Sequence, residues 1–150
     1  MEDVYILIDC SWSMKDMKDD VIREVNEYIL GKGRATRFSV YFFNHDIDRP
    51  IIQKREVYIS DDMYDIWGRS ALYDSIDITI KDATSRSKIP PTFVVYTDGI
   101  DTASIYCTKS QIEDMIDHYK SIGCKFEFLR KNPFKNRNSR CCSLRSLGFR

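Results

Sequence analysis

Glycine and proline are scarce, at six and four of 150 residues, and histidine is scarcer still at two. So few chain breakers exclude collagen-like repeats and low-complexity linkers, and no internal repeat is present. No apolar run approaches the roughly 20 residues needed to span a bilayer, so no membrane association is expected. Net charge is also absent, because 23 basic side chains balance 23 acidic ones. A neutral chain has no general attraction for nucleic acid. Cys107, Cys124, Cys141, Cys142 and His118 lack the spacing of about two to four residues found in structural zinc ligands, which excludes a finger or ribbon. There is no Gly-rich phosphate loop, no GxSxG nucleophile elbow and no Asp-x-Asp opening of a phosphotransferase site. Five cysteines, an odd number, and a Met-Glu-Asp start without a basic leader predict a reduced, cytoplasmic setting.

What is present describes an ordinary globular chain, 43% apolar and 31% charged. Its length suits one domain that buries roughly 70% of the surface its unfolded form exposes. The charge is unevenly placed. Residues 131–150 hold Lys131, Lys135, Arg137, Arg140, Arg145 and Arg150 without an acid, so this segment is +6 and the remainder −6. The division expected is a domain over 1–130 and a basic C-terminal segment over 131–150 that either completes the domain or stays solvated. Ser143 to Gly148 offers at most a short helix, and weak contact with an anion or nucleic acid would fall to this segment.

Apolar runs at Val4–Ile8, Arg37–Phe43, Thr92–Tyr96 and Lys125–Leu129 predict buried strands. A shorter strand is expected at Glu56–Ile59, after the Pro50 loop, antiparallel to its predecessor and on the sheet edge. Helical spacing of Met17, Val21, Val25, Tyr28 and Ile29 predicts a first helix over 17–30, capped by Ser13 with Asp16 and stopped by Gly31. Leu72, Ile76, Ile80 and Ala83 predict a second helix over 70–84, opened by Ser70 and ended by Pro90 and Pro91. Ile112, Met115, Ile116 and Tyr119 predict a third, capped by Ser110 with Glu113 and stopped by Gly123. The alternation gives an α/β fold class: a doubly wound, Rossmann-like, mostly parallel sheet with one antiparallel edge strand and helices on both faces.

Two of these strands end in an aspartate, Asp9 and Asp98. In such a sheet ligands bind beyond the carboxyl ends of the strands, where chain order reverses. Side chains alternate along an extended segment, so Asp9, Ser11 and Ser13 leave the first strand pointing the same way. If the two strands are neighbours, Asp9 and Asp98 converge, and Ser70 enters from a third segment. Two carboxylates and three hydroxyls form an all-oxygen set suited to Mg2+, with Mn2+ or Ca2+ as substitutes. For Asp9, Ser11 and Ser13 alone, a turn capping the first helix is the competing account. Asp74 and Tyr73 read as helix-surface and packing residues, and His45 as a loop histidine.

Three segments carry a family resemblance. Asp9-Cys10-Ser11-Trp12-Ser13, Gly68-Arg69-Ser70-Ala71-Leu72-Tyr73-Asp74 and Thr97-Asp98-Gly99-Ile100-Asp101 resemble the metal-ion-dependent adhesion site (MIDAS) of von Willebrand factor type A domains of the intracellular type. The resemblance covers about residues 3–130, in the family's order and spacing. It implies that Ser11, Ser13 and Ser70 are direct or near-direct ligands and that Asp9 and Asp98 act largely through bound water. Ser70 replaces the family's usual Thr, and Trp12 stands where many relatives have glycine. Trp12 is expected to pack against Trp67 or to join a ligand-facing rim with Trp67 and Asp101.

The function expected is a non-enzymatic interaction module that binds an Asp or Glu of a protein partner through Mg2+. Two other readings use the same residues. One is an Mg2+-dependent phosphoryl or phosphodiester hydrolase, weakened by the lack of a general base near the motifs. The other is a structural assembly subunit whose metal site has degenerated, for which Trp12 is the best support.

Overall fold

The computed structural model describes residues 1–134, so the expected helix at 143–148 and most of the basic segment lie outside the described residues. Strand β1 (Glu2–Asp9) is followed by helix α1 (Lys18–Leu30), strands β2 (Thr36–Phe43) and β3 (Ile47–Lys54), and helix α2 (Leu72–Arg86). Strand β4 (Thr92–Tyr96), helix α3 (Lys109–Ser121) and strand β5 (Lys125–Phe128) complete the order. The sheet runs β3-β2-β1-β4-β5, parallel throughout except for the β2–β3 pair. The doubly wound α/β sheet predicted from the alternation is thus the observed one. The central strand is β1, with β2 on one side and β4 on the other.

A strand in that position is buried on both faces, which is why it reads as a continuous apolar run. Val4, Ile6 and Ile8 pack with Val21, Val25 and Ile29 of α1 in one core. Tyr5 and Leu7 pack with Ile76 and Ile80 of α2 and Ile112 and Ile116 of α3 in the other. Burying each Val, Leu or Ile contributes about 1.5–3 kcal/mol, so this strand anchors both layers. Phe134 joins the second core beside Tyr73 and Phe128, which carries the packing four residues past the expected boundary at 130.

Several local expectations are corrected. The edge strand is β3, at Ile47–Lys54, and not Glu56–Ile59. It follows β2 through a tight Asn44-His45-Asp46 connection, and Pro50 is accommodated because an edge strand has one unpaired side. Its register is broken by irregularities, and Gln53, at φ 51°, donates its N–H to the Ser39 hydroxyl at 2.9 Å. The Ser13–Asp16 capping box does not form. A 3-10 helix over Trp12–Met17 precedes α1, Met17 takes the cap position, and the Ser13 hydroxyl bonds across the molecule to Asp98 instead. Helix α2 starts after Ala71, and the hydroxyl of Ser70 turns to Asp9. The capping box of α3 is Thr108 with Gln111, two residues ahead of the pair expected. Gly123 ends α3 as predicted, at φ +108°.

Candidate metal centre

The strand order sets the site. Because β1 and β4 are adjacent and parallel, Asp9 and Asp98 leave the same end of the sheet. Asp9 is fully buried, and its Oδ1 accepts the N–H of Ser11 at 2.9 Å, which folds the first loop back over the strand. Its Oδ2 accepts the Thr97 hydroxyl at 2.8 Å and the Ser70 hydroxyl at 3.3 Å. The Ser11 and Ser13 hydroxyls lie 3.3 Å apart, and Ser13 donates to Asp98. Asp98 also accepts the N–H of Ile100 at 3.1 Å. Asp9, Ser11, Ser13, Ser70 and Asp98 therefore form one connected set of oxygens drawn from three loops.

Each loop is fixed by its own bonds. In the first, Trp12 N–H donates to the Gly68 carbonyl at 2.8 Å and Trp67 N–H to the Cys10 carbonyl at 3.0 Å, stitching it to the second loop. Tyr64 donates its hydroxyl to the Asp9 carbonyl at 2.7 Å. Gly68, at φ +83°, leaves no room for a Cβ, which would sit 2.7 Å from His45 Nδ1. In the second loop the Ser70 N–H donates to the Thr102 hydroxyl at 2.9 Å, and its carbonyl accepts N–H bonds from Thr102 and Ala103. In the third, Gly99 takes φ +84° and donates its N–H to the Thr97 hydroxyl at 3.0 Å, while the Lys131 side chain crosses close above it.

The electrostatics are those of an incompletely neutralised acid pair. Burial pushes the Asp9 carboxyl above its ordinary range; bonds from Ser11 and Thr97 oppose this, and the nearby Asp98 raises it further. Neither Asp9 nor Asp98 belongs to an ion pair among the described residues. No group of three His, Cys, Asp or Glu stands together there either. The donor chemistry is thus two carboxylates and three neutral hydroxyls, a set that fits a hard divalent cation and offers nothing soft to zinc-finger metals.

The chain matches no protein-family model and no curated protein sequence. Solved structures do match it. An aerotolerance-related membrane protein from Bacteroides fragilis aligns at TM-score 0.65 and 17% identity over 85% of this chain and 66% of its own. The ArnB paralog VWA2 from Sulfolobus acidocaldarius aligns at TM-score 0.52 and 17% identity, over 85% of this chain and 33% of its own. The fold is that of a von Willebrand factor type A domain. Proximal thread matrix protein 1 of the mussel byssus, in a structure with a zinc-occupied MIDAS motif, aligns at TM-score 0.62 and 14% identity over 85% of this chain and 35% of its own. This chain thus spans about two thirds of the first of these proteins and about one third of the other two.

Against this type A frame, the residues singled out in the sequence divide in two. The five oxygen donors come together, whereas the three rim residues do not act as a unit. Trp67 stacks edge-on with His45 at 4.7 Å, and Trp12 lies under the Lys15 ammonium at 4.7 Å. Asp101 turns from the cluster to accept the Tyr73 N–H at 3.2 Å and the Ser104 hydroxyl at 2.6 Å at the start of α2. Asp74, read as a surface residue, is buried and accepts backbone N–H bonds from Ile105, Tyr106 and Cys107. Thr97 and Thr102 were missed as site residues. Their only signal was adjacency to Asp98 and Asp101, since a hydroxyl that orients another side chain has no spacing of its own.

Proposed function

We propose that this chain is a metal-dependent protein-interaction module whose cation is Mg2+ and whose partner presents an Asp or Glu. Ser11, Ser13 and Ser70 would hold the cation directly, with Asp9 and Asp98 acting largely through water. When bound, the cation supplies an electrophilic centre for a partner carboxylate, kept strong because three of the five donors are uncharged. The observation that carries the reading is Asp9, a buried carboxylate bonded only to neutral donors and placed beside a second carboxylate. Such an arrangement is costly unless a positive charge joins it.

The protein's own groups have defined tasks in this scheme. Thr97 and the Ser11 N–H orient Asp9, Thr102 fixes the backbone of Ser70, and Asp98 accepts the hydrogen bond of the Ser13 hydroxyl within the cluster. Among the described residues no histidine bonds to this cluster, which supports binding over hydrolysis. The zinc-occupied MIDAS motif of the mussel byssus protein supports a cation at the corresponding place in this fold.

The test is co-purification of binding partners with and without chelator, using Asp9→Ala as a second control. Binding should disappear in both, with the circular dichroism of the variant unchanged. Partner binding that persists in excess chelator overturns the proposal.

A further inference from the structure

Large exposed apolar side chains sit on two of the loops that supply the oxygen cluster and belong to neither core. On the third loop Ile100, Ile105 and Tyr106 are 56%, 78% and 81% exposed, and Trp12 on the first loop is 58% exposed. The third loop does not display them by fraying. Buried Asp74 accepts the N–H groups of Ile105, Tyr106 and Cys107 at 2.8, 3.1 and 2.8 Å. The Ser104 hydroxyl donates to Asp101 at 2.6 Å and accepts the Asp74 N–H at 3.0 Å. Thr102 and Ala103 donate to the Ser70 carbonyl. Six consecutive residues are thereby fastened through their backbone or a short side chain, and the side chains of Ile105 and Tyr106 project from this fixed frame. Ordering that precedes association removes a cost that a floppy loop would bear on binding. Large apolar side chains held exposed on one ordered loop suit an interaction surface.

We propose that this rim docks a protein segment carrying one acidic side chain for the cation and apolar side chains next to it for Ile100, Ile105 and Tyr106. The inference rests on the metal-dependent reading given above and adds the chemistry of the partner. Continuity selects the occupant. Asp98 belongs to the same loop as Ile100, and the Ser70 whose hydroxyl joins the cluster is bonded to that loop through its carbonyl. A carboxylate engaged at the cluster leaves its sequence neighbours against this loop. Charge agrees, because the cation attracts the acid while Thr102 to Thr108 carry no charged side chain and suit an apolar complement.

The experiment is a selection from a random-peptide library on the immobilised full chain in Mg2+, run in parallel on Ile105→Ser/Tyr106→Ser. Both positions are exposed and outside the oxygen cluster, so the double variant should fold and bind Mg2+ unchanged. On the wild type, enriched peptides should carry an Asp or Glu with Leu, Ile, Phe or Trp within a few positions. Individual peptides should bind the double variant about tenfold more weakly, as expected for losing contact with two apolar side chains. Acid enrichment without apolar neighbours, or equal affinity for the double variant, overturns the rim proposal and leaves the metal reading standing. Enrichment that lacks an acid and ignores chelator overturns both. Sedimentation with phosphatidylserine vesicles, independent of Mg2+ and lost in the double variant, would make the patch a lipid contact and overturn the rim proposal.

Discussion

Strand β1 carries a buried aspartate near each end, and the two are held in opposite ways. Asp3 meets the Arg37 guanidinium through two bonds at 2.8 and 3.0 Å and accepts the Ser87 hydroxyl at 2.6 Å. Burial opposes its charge, but the Arg37 and Ser87 bonds and the Arg37 charge outweigh this and hold the carboxyl below its ordinary range. Asp9 receives one backbone N–H and two hydroxyls, faces Asp98, and is pushed upward by burial. One strand thus has a closed charge pair at its amino end and an open one at its carboxyl end. Among the described residues Arg37 pairs with Asp3 and no cationic side chain pairs with Asp9, and this contrast is what supports the proposal of an external cation at the second position.

Several substitutions break or sharpen this contrast. The largest effect belongs to the open end. Asp98→Ala should weaken Mn2+ binding, measured by electron paramagnetic resonance, about 100-fold or more, and Ser70→Ala about 10-fold, while Asp3→Asn leaves it unchanged. Next comes Asp74→Ala, which orphans three backbone N–H groups and should cost about 2 kcal/mol in urea unfolding, with the loop of Ile105 and Tyr106 gaining hydrogen exchange.

A smaller loss is expected for Asp3→Asn, a drop of a few degrees in melting temperature, because Arg37 is partly solvated and its pair is screened. Its sign with pH is fixed. A carboxyl lowered from 3.8 contributes stability that is present above that pH and lost as the pH falls through the lowered value. The difference between wild type and Asp3→Asn should therefore shrink in acid. Asp9 has the reverse sign. Its raised carboxyl favours folding at pH below 3.8, and that advantage is lost as the pH rises through the folded value. The smallest effect is then a slight rise in the neutral-pH melting temperature of metal-free Asp9→Asn.

The sheet was legible because β1 and β4 are buried on both faces and therefore read as uninterrupted apolar runs. Asp9 and Asp98 were legible because their strands are adjacent and parallel, whereas Ser70 was legible only through the motif resemblance, and Ser13 reaches the cluster from a 3-10 helix rather than by the alternation of an extended segment. The helix starts were not. Ser13 and Ser70 look like caps locally, yet their hydroxyls bond to Asp98 and Asp9 from other loops, and the first turn of α2 is capped instead by Asp101 and Ser104. Strand β3 was misplaced because Pro50 reads as a loop residue until the strand is known to be an edge. Asp74 looked like a surface acid because its partners are backbone N–H groups about 30 residues away, which leave no trace in side-chain spacing.

The account rests on Asp9 being an acid that awaits a cation. Calorimetric titration of Mg2+ into the metal-free full chain, with Asp9→Asn and Asp3→Asn in parallel, tests this most directly. It predicts saturable one-site binding that raises the melting temperature, is abolished in Asp9→Asn and persists in Asp3→Asn. Absence of saturable binding to the wild type, or equal binding by Asp9→Asn, would contradict it.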